Sequence, residues 1–380
     1  MSKARTNTEF GTAGRLVAML VPGLGHLRRR QTRTGVSLMA MTAGQLSVLF
    51  LALDRVTATL TAGRLDYWVA LLSLVVGLGL TWGVSLMSLR SASHGPAHVS
   101  QWAIAWREFK RNRVALLGLY LMVLLVVATL LGPYLTPFEP SVIGSDIAAT
   151  RHLAPSLDHV MGTDKFGRDV LTRVLYGARI SLAIGFLAVS ISITLGTAIG
   201  AASGFFGGAV DNVLMRLVDV LISFPRLVLL IVVIALFQPS IPLVILVLGL
   251  TLWPSSARIV RGEVLSLRER EFIQAARALG LSSPRIILRH IIPNVLGPVI
   301  VAATLGLGNI ILIEAGLSFL GFSVPLPTPT WGNMINDGRE YLLEAWWVAT
   351  FPGLAIVLTV VAFNLIGDGL RDALDPRLRV

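Results

Sequence analysis

The chain has 380 residues, of which 54% are hydrophobic and only 14% are charged, and its mean hydropathy is +0.75. Soluble domains carry about 25% charged residues, so this composition predicts an integral membrane protein. The sequence contains no cysteine, which excludes disulfides, thiolate metal sites and cysteine nucleophiles. The net charge is +11, and the basic residues lie beside apolar segments, which favours anionic lipid over nucleic acid as their binding partner.

Apolar segments long enough to cross a bilayer, about 20 residues each, recur along the chain. Eight are predicted, at 35–53, 68–88, 114–133, 181–206, 217–238, 241–257, 295–316 and 346–367. The first apolar stretch, 14–25, is shorter and leads into a run of three arginines beginning at Arg28, so no cleaved signal peptide is predicted. A polar linker at 91–98 separates a two-span N-terminal accessory unit, 1–90, from a six-span core.

The charge bias around the spans predicts which connections face the cytoplasm, because Lys and Arg accumulate on that side. The connection 258–290 has seven arginines against three glutamates, and the N-terminal tail is similarly basic. The connection 317–345 has an acidic excess instead, and 134–180 is balanced. Eight spans with both termini in the cytoplasm satisfy this alternation, which places 258–290 inside and the other two connections outside.

The cytoplasmic connection is predicted to fold as a short helix, a turn and a second helix. Ser266 and Glu269 have the spacing of a capping box, so the first helix is predicted to begin there. Four apolar residues then fall on one face at helical spacing: Phe272, Ala275, Ala276 and Leu279. Gly280 predicts a left-handed helix end, and Ser283 followed by Pro284 predicts the start of the second helix. The pattern alone fits either an amphipathic connector on lipid headgroups or a docking element for a partner.

Near the span ends, two pairs of side chains have predictable roles. Arg216 and Asp219 are three residues apart on a predicted helix and are expected to neutralise each other. Trp346 and Trp347 are expected to anchor the last span at the membrane interface.

The cytoplasmic connection resembles the coupling loop, or EAA loop, of binding-protein-dependent ABC importer permeases in its spacing, which runs Gln274-Ala275-Ala276-x-x-x-Gly280 and continues to Ile292-Pro293. Gln274 stands where the broader family has Glu, and His290 where an aliphatic residue is usual, and the peptide branch tolerates both. In that family the loop's helix fits a groove in the ATPase subunit and transmits its closure. The resemblance therefore implies coupling roles for five residues: Glu271, Gln274, Ala275, Ala276 and Gly280.

Three further segments resemble, in the same order, the C-type permease subunits of the dipeptide and oligopeptide branch. They are Trp106–Gly118 before the first core span, Gly162–Val170 with Tyr176–Ser181 outside the second, and Glu314–Gly321 with Pro327–Gly332 in the last external loop. Eight residues of the external motifs are candidates for a functional role: Gly162, Thr163, Asp164, Gly167, Arg168, Asp169, Trp331 and Gly332. The motif from Gly162 to Asp169 fits either a turn held by a local Asp/Arg ion pair or a direct solute contact.

The resemblance covers about residues 100–380 and implies an all-α integral membrane fold of the type I ABC importer, with two extra N-terminal spans before a six-span core. The implied regions are a linker, first core span and external loop at 91–178, a permease domain at 179–368 with its coupling loop at 266–294, and a cytoplasmic tail at 369–380. The implied partners are a homologous second permease, two ABC ATPases and an extracytoplasmic solute-binding protein, at a prokaryotic cytoplasmic membrane. Dipeptides, oligopeptides, nickel and glutathione all remain open as the cargo.

The implied chemistry belongs to the partners. The sequence lacks G-x-x-x-x-G-K-[ST], so ATP and Mg²⁺ are expected only on the ATPases, and no cofactor, metal or catalytic residue is predicted in this chain. The alternative function is an ion-coupled secondary transporter, which needs charge within the membrane, but 181–206, 241–257 and 295–313 contain no charged residue. An intramembrane enzyme is disfavoured too, because the six histidines lie in loops or near span ends and none forms H-E-x-x-H.

Overall fold

The computed structural model of the chain describes residues 101–136, 138–143, 147–322 and 324–375. The chain divides into two units between Ala103 and Ile104, and the description below concerns the second of them. The predicted N-terminal unit 1–90, with its spans at 35–53 and 68–88, lies outside the described residues.

The described residues are almost entirely helical. In chain order the helices are α1 (Gln101–Arg111), α2 (Arg113–Leu135), α3 (Ile147–Thr150), α4 (Val170–Phe206), α5 (Gly208–Ser223), α6 (Arg226–Ala235), α7 (Ile241–Arg268), α8 (Glu271–Ala278), α9 (Ser283–Ile286), α10 (Ile292–Phe319), α11 (Trp331–Gly338) and α12 (Trp347–Leu374). A π-helical turn, Ile287–Ile291, joins α9 to α10, and a 3₁₀ turn, Arg339–Tyr341, follows α11.

The membrane-spanning segments follow the prediction for the six-span core, with one exception. By length and composition, five described segments can cross a bilayer: α2, α4, α7, the joined run Ser283–Phe319, and α12. The pair of α5 and α6 is together apolar enough for a sixth, but the two helices meet at an angle of 85°, the geometry of a broken span or of a re-entrant loop. Hydropathy located these segments because an apolar helix of that length is matched to the thickness of a bilayer.

The prediction of one continuous span at 217–238 is wrong, because the helix breaks between Ser223 and Arg226. Phe224 has extended backbone (φ −78°, ψ 135°), since the proline ring that follows disfavours the helical region for the preceding residue. Pro225 also lacks the N–H that a continuing helix would donate. The break therefore gives two helices of different direction where hydropathy alone indicates one.

Small residues let α4 and α7 approach each other closely. Gly196, Gly200 and Gly204 recur every four residues and so share one face of α4. A Cβ atom on Gly200 would lie 2.4 Å from the carbonyl oxygen of Ala257 on α7. Spacing of this kind supports close helix packing in membranes, where van der Waals contact is a main driving force. α5, α6 and α10 also pack against the pair formed by α4 and α7.

The remaining helices pack around α12, which contacts α2, α10 and α11. Gly118 on α2 faces α12 so closely that a Cβ there would lie 2.7 Å from the Cβ of Leu365. Ala105 and Phe109 bury one face of the short amphipathic α1 in a cluster with Ala373 of α12. Because α4 has 37 residues, its two ends are about 55 Å apart, and the turn before it and the connection after it lie at opposite ends of that helix.

Candidate functional site

The connection between α7 and α10 has the predicted order of helix, turn and helix, but its first helix begins later than predicted. α7 continues through Ser266 and ends at Arg268, so the predicted capping box at Ser266 and Glu269 is wrong. Extending an existing helix does not carry the free-energy cost of nucleating a new one, so α7 continues past the predicted capping box. α8 begins at Glu271, whose carboxylate lies in the first turn, where the positive end of the helix dipole favours it.

The predicted left-handed helix end at Gly280 is confirmed, with φ at 75°. The Leu281 N–H donates to the Ala276 carbonyl oxygen at 3.2 Å, and the Gly280 N–H donates to the Arg277 carbonyl oxygen at 2.9 Å. This is the hydrogen-bond pattern of a Schellman motif. Leu281 packs on the cluster that buries Ala276, which supplies the apolar contact that usually accompanies the motif. The chain therefore reverses directly after α8.

α8 has a buried face and an exposed face, and they do not divide as predicted. Ile273 and Ala276 are buried in a cluster with residues from α4, α7 and α10. Phe272 and Leu279 are 44% and 82% exposed. Of the four apolar residues predicted to share one face, only Ala276 is on the buried side, and Ile273 carries most of the anchoring.

Four of the five predicted coupling residues are exposed: Glu271, Gln274, Ala275 and Gly280. The Gln274 side-chain amide also donates to the Glu269 carbonyl oxygen at 3.2 Å, which stabilises the turn before α8. Phe272, Ala275 and Leu279 have i, i+3, i+7 spacing and form one exposed apolar stripe with a small residue between two large ones. We call these three residues the α8 stripe.

The second helix of the connection begins at Ser283, one residue earlier than predicted, so Pro284 is its second residue and is still in the first turn, where the missing N–H has no intrahelical acceptor to lose. Ser282 is the capping position, one residue earlier than predicted. The π turn Ile287–Ile291 follows, and the Asn294 side chain donates to the His290 carbonyl oxygen at 2.6 Å. The run from α9 to α10 therefore continues without a loop.

Two arginines of α7 hold the connection from α4 to α5, Ser203–Asp211, which we call the α4–α5 corner. The Arg261 guanidinium donates through Nε and Nη2 to the two carboxylate oxygens of Asp211, each at 2.6 Å. Arg268 donates from Nη1 to the Gly204 carbonyl oxygen at 3.2 Å. Bidentate arginine–carboxylate pairing fixes orientation as well as distance, so α7 and the corner are firmly joined.

The predicted neutralisation of Asp219 by Arg216 is wrong. The Asp219 carboxylate instead accepts a hydrogen bond from Arg258 at 2.6 Å, because α5 packs beside α7 and presents this side chain to it. Both side chains are about half exposed, so the pair contributes only about 0–1 kcal/mol.

The stretch Gly162–Asp169, which is predicted to be external, forms the turn that begins α4, and four of its polar residues are buried: Thr163, Asp164, Arg168 and Asp169. Asp164 accepts hydrogen bonds from the Arg168 backbone N–H at 3.0 Å and from Arg168 Nε at 2.7 Å, so the predicted local ion pair is confirmed. Asp169 caps α4 by accepting from the N–H and the hydroxyl of Thr172, each at 2.8 Å. These carboxylates are occupied within the chain, which favours a structural role over solute contact.

Asp337 on α11 joins this turn to the last external segment, and sequence reasoning missed it. Its carboxylate lies 2.9 Å from Lys165 Nζ, 3.7 Å from Arg168 Nη2 and 3.9 Å from Arg173 Nη2. Arg173 also donates to the Pro140 carbonyl oxygen at 3.1 Å. These residues are too far apart in the sequence for a local spacing to indicate that they pair. The sequence indicated only that residues of opposite charge occur in the connections 134–180 and 317–345.

Trp331 and Gly332 fix α11 against α4 and α10. Thr330 caps α11, and the Trp331 Nε1–H donates to the Val174 carbonyl oxygen at 3.0 Å. A Cβ on Gly332 would lie 2.4 Å from the Cβ of Ser318, so only glycine fits this contact. Both residues of the predicted external motif therefore serve packing.

The two tryptophans at the start of α12 differ in environment, although both are predicted interface anchors. Trp346 is half exposed, whereas Trp347 is buried and donates from Nε1 to the Thr163 carbonyl oxygen at 3.1 Å. Gly162 has φ at 73°, and a Cβ there would lie 2.5 Å from that same Nε1. Gly167, with φ at 71°, supplies the second left-handed position of the turn. The external motif thus ties the start of α4 to the start of α12.

Two family models and several known proteins match this chain. Residues 192–380 match the family model of the binding-protein-dependent transport system inner membrane component, and residues 100–155 match that of the N-terminal transmembrane domain of oligopeptide transport permease C. The dipeptide transport system permease protein DppC of Alkalihalophilus pseudofirmus is 42% identical over 281 residues, which are 74% of this chain and 91% of the relative.

Two other relatives carry different names. A putative peptide transport system permease protein of Brucella suis is 44% identical over 274 residues, which are 72% of this chain and 91% of the relative. The glutathione transport system permease protein GsiD of Escherichia coli is 42% identical over 279 residues, covering 73% of this chain and 91% of the relative. Among solved structures, an inward-facing MetNI methionine ABC transporter aligns with a TM-score of 0.45 at 19% identity, over 53% of this chain and 96% of that one.

Proposed function

We propose, on the premise that this chain belongs to the binding-protein-dependent ABC importer permeases of the dipeptide and oligopeptide class, that α8 is its docking element for an ATPase subunit. The chain is a transmembrane permease subunit, and ATP is hydrolysed by separate subunits of such importers. The observation that carries the proposal is the exposed α8 stripe on a helix whose opposite face is anchored in the spans.

The geometry of α8 suits docking and transmission of force. Burial of a large apolar side chain contributes about 1.5–3 kcal/mol, so covering Phe272 and Leu279 gives a partner substantial binding energy. Ala275 between them lets the partner surface approach closely. Ile273 and Ala276 on the other face pack α8 against α4, α7 and α10, so displacement of α8 is transmitted to these helices.

The complete importer contains a second homologous permease, two ATPases that hold ATP and Mg²⁺, and an extracytoplasmic solute-binding protein. This chain lies in a prokaryotic cytoplasmic membrane, with α8 and both termini on the cytoplasmic side. The charge bias supports this sidedness, since 258–290 has seven arginines against three glutamates. The cargo is a peptide or a related small solute, a class supported by relatives that are named dipeptide, peptide and glutathione permeases.

The external motif residues have a structural role in this proposal. Gly162, Thr163, Asp164, Gly167, Arg168, Asp169, Trp331 and Gly332 position the external ends of α4, α11 and α12 and do not contact the cargo. Their burial and their hydrogen bonds within the chain support this assignment.

The test is recovery of the ATPase with a variant that obstructs the α8 stripe. The tagged chain is co-expressed with its partner subunits, purified in mild detergent, and assayed for bound ATPase and for ATP hydrolysis. Ala275→Trp adds bulk at the centre of the stripe, and we expect at least about a tenfold loss of recovered ATPase, which corresponds to 1.4 kcal/mol of binding. The control Ala148→Trp adds the same bulk at an exposed helical alanine of α3.

Undiminished ATPase recovery with Ala275→Trp, or no ATPase with the unmodified chain, would overturn the docking assignment. The cargo class is tested separately, by titrating the co-purified solute-binding protein with dialanine, with penta-alanine and with glutathione in a calorimeter. Heat of binding from none of the three compounds would contradict the peptide class while leaving the docking assignment intact.

A further inference from the structure

α8 is linked to the α4–α5 corner by a contact of its own. Besides the two α7 arginines that hold the corner, Arg277 of α8 places its guanidinium carbon 4.8 Å from the centre of the Phe205 ring. Phe205 is the second-last residue of α4 and is buried in the same cluster as Ile273 and Ala276. A guanidinium within about 6 Å of an aromatic face is attracted to the electron density of the ring.

The orientation of Arg277 separates it from the docking surface. It lies in the last turn of α8, where a cation also interacts favourably with the helix dipole. The α8 stripe lies on a different side of the helix from the buried Ile273 and Ala276, and the guanidinium of Arg277, itself an exposed residue, lies over the Phe205 ring of α4. The contact therefore serves the joint between two elements of this chain.

The corner contains two residues with positive φ at the junction of α4 and α5. Gly207 and Gly208 both have positive φ, at 65° and 52°, and the chain turns there from α4 into α5. Within described helix α5 only Val218 is buried, in a cluster with Trp253 and Ala257 of α7, so the corner and the Asp–Arg pairs add to a small apolar contact in positioning α5. A force applied at the corner is thus directed into α5.

We propose that Arg277 is a positioning residue of the coupling mechanism: through Phe205 it ties α8 to the α4–α5 corner, so that displacement of α8 reorients α5. This inference rests on the proposed function, in which the ATPase displaces α8. Loss of the tie leaves the α8 stripe available for docking but disconnects α5 from the movement. Arg277 links the displacement of α8 to the reorientation of α5, and it acts on neither ATP nor cargo.

The test measures the position of α5 in the whole importer. The sequence has no cysteine, so Val213→Cys on α5 and Leu354→Cys on α12, both exposed, accept spin labels without background from this chain, which is labelled before it is assembled with its partner subunits. The importer, assembled with its partner subunits in lipid nanodiscs, is studied by pulsed EPR without nucleotide and with ATP and vanadate. The fraction of molecules whose distance shifts on trapping is the readout.

Four variants separate the contact from general effects. Arg277→Gln removes the cation, Arg277→Lys keeps one, and Phe205→Leu removes the ring but keeps apolar bulk. Arg285→Gln, at an exposed position of α9, removes the same charge from the same connection and is the matched control. We expect Arg277→Gln and Phe205→Leu to reduce the shifted fraction about two- to fivefold, the effect of a cation–π contact on an equilibrium, with Arg277→Lys intermediate and Arg285→Gln unchanged.

The double variant and the ATPase assay decide the interpretation. If both residues act through one contact, combining Arg277→Gln with Phe205→Leu causes no further loss, while ATPase recovery and hydrolysis stay at the unmodified level. An unchanged shift in Arg277→Gln, additive losses in the double variant, or loss of ATPase from Arg277→Gln would each overturn the inference. Absence of ATPase from the unmodified chain is seen before any label is introduced, so failure of the proposed function is distinguishable from failure of this step.

Discussion

Asp337 joins the turn before α4 to α11 through its contacts with three cations. Three cations face its carboxylate, and two of them, Arg168 and Arg173, are buried. A buried guanidinium that loses one of its counter-ions retains the cost of leaving water, although both arginines keep Asp164, at 2.7 Å from Arg168 Nε and 3.5 Å from Arg173 Nε. The same carboxylate joins the turn before α4 to α11, so one side chain connects two external segments.

We expect Asp337→Asn to lower the free energy of unfolding by about 2 kcal/mol. This is less than the roughly 3–5 kcal/mol of a fully buried pair, because Lys165 still reaches water and two of the three distances exceed 3.5 Å. Intrinsic tryptophan fluorescence during thermal unfolding in detergent measures the change. Glu340→Gln removes an exposed carboxylate two residues beyond the end of α11 and should leave the transition unaltered; equal transitions for both variants would contradict the network.

Residues with local roles were predictable and residues with distant partners were not. Gly280 was identified because a helix end needs a left-handed position, a requirement contained within a few residues of chain. Asp337 was not, because its three partners come from the other external connection. Ile273 was overlooked for a related reason, since helical spacing alone does not say which side of α8 faces the protein.

At the scale of elements, the packing of α4 against α7 depends on glycine. The carbonyl oxygen of Ala257 occupies the space that a side chain on Gly200 would need. In a membrane, lipid tails are as apolar as the helix surfaces, so closeness of contact matters more than apolar area for holding helices together. α4 and α7 also carry the corner and its two arginines, so their separation affects the contacts at the corner directly.

Gly200→Ala is expected to destabilise the protein by about 1–3 kcal/mol, the usual cost of overpacking, because the added Cβ meets backbone that cannot rotate away. Gly262→Ala on α7 is the matched control, since among the described residues no atom lies within 4 Å of a Cβ built there. That substitution should be neutral or stabilising by up to about 1 kcal/mol, the helix-propensity difference. Thermal unfolding in detergent compares the two, and a Gly200→Ala protein as stable as the Gly262→Ala protein would refute the tight contact.

The elements themselves were largely predictable, and the errors have definite causes. Span positions followed from hydropathy because lipid allows few alternatives to an apolar helix. The break at Phe224–Pro225 was readable in the sequence but was outweighed by continuous apolar composition. The capping pattern at Ser266 was misleading because caps act where a helix starts, and α7 was already formed.

For the whole molecule, the arrangement of charges predicts which surface faces which compartment. The natural absence of cysteine allows a direct measurement with single introduced cysteines. Leu279→Cys on α8 and Leu157→Cys before α4 are both strongly exposed. We expect a membrane-impermeant maleimide to label Leu279→Cys only in inside-out vesicles and Leu157→Cys only in right-side-out vesicles, and the reverse pattern would contradict the proposed sidedness.

The same labelling reports docking in the intact importer. Because Leu279 belongs to the α8 stripe, assembly with the ATPase should protect Leu279→Cys from the reagent at least about tenfold, in line with 1.4 kcal/mol or more of binding. Leu157→Cys serves as the control in the same preparation. Undiminished labelling of Leu279→Cys in a complex that contains ATPase would show that the subunit binds elsewhere.

The run from Ser283 to Phe319 passes from α9 through the π turn into α10 without a loop, and it has 37 residues. At 1.5 Å per residue this is a rod about 55 Å long, whereas the hydrocarbon core of a bilayer is about 30 Å thick. One end of the rod follows directly after α8, and near the other end Ser318 touches Gly332 of α11. Because the run is continuous from the connection after α8 to the contact with α11, a tilt of the whole run about its middle would displace its two ends in opposite directions.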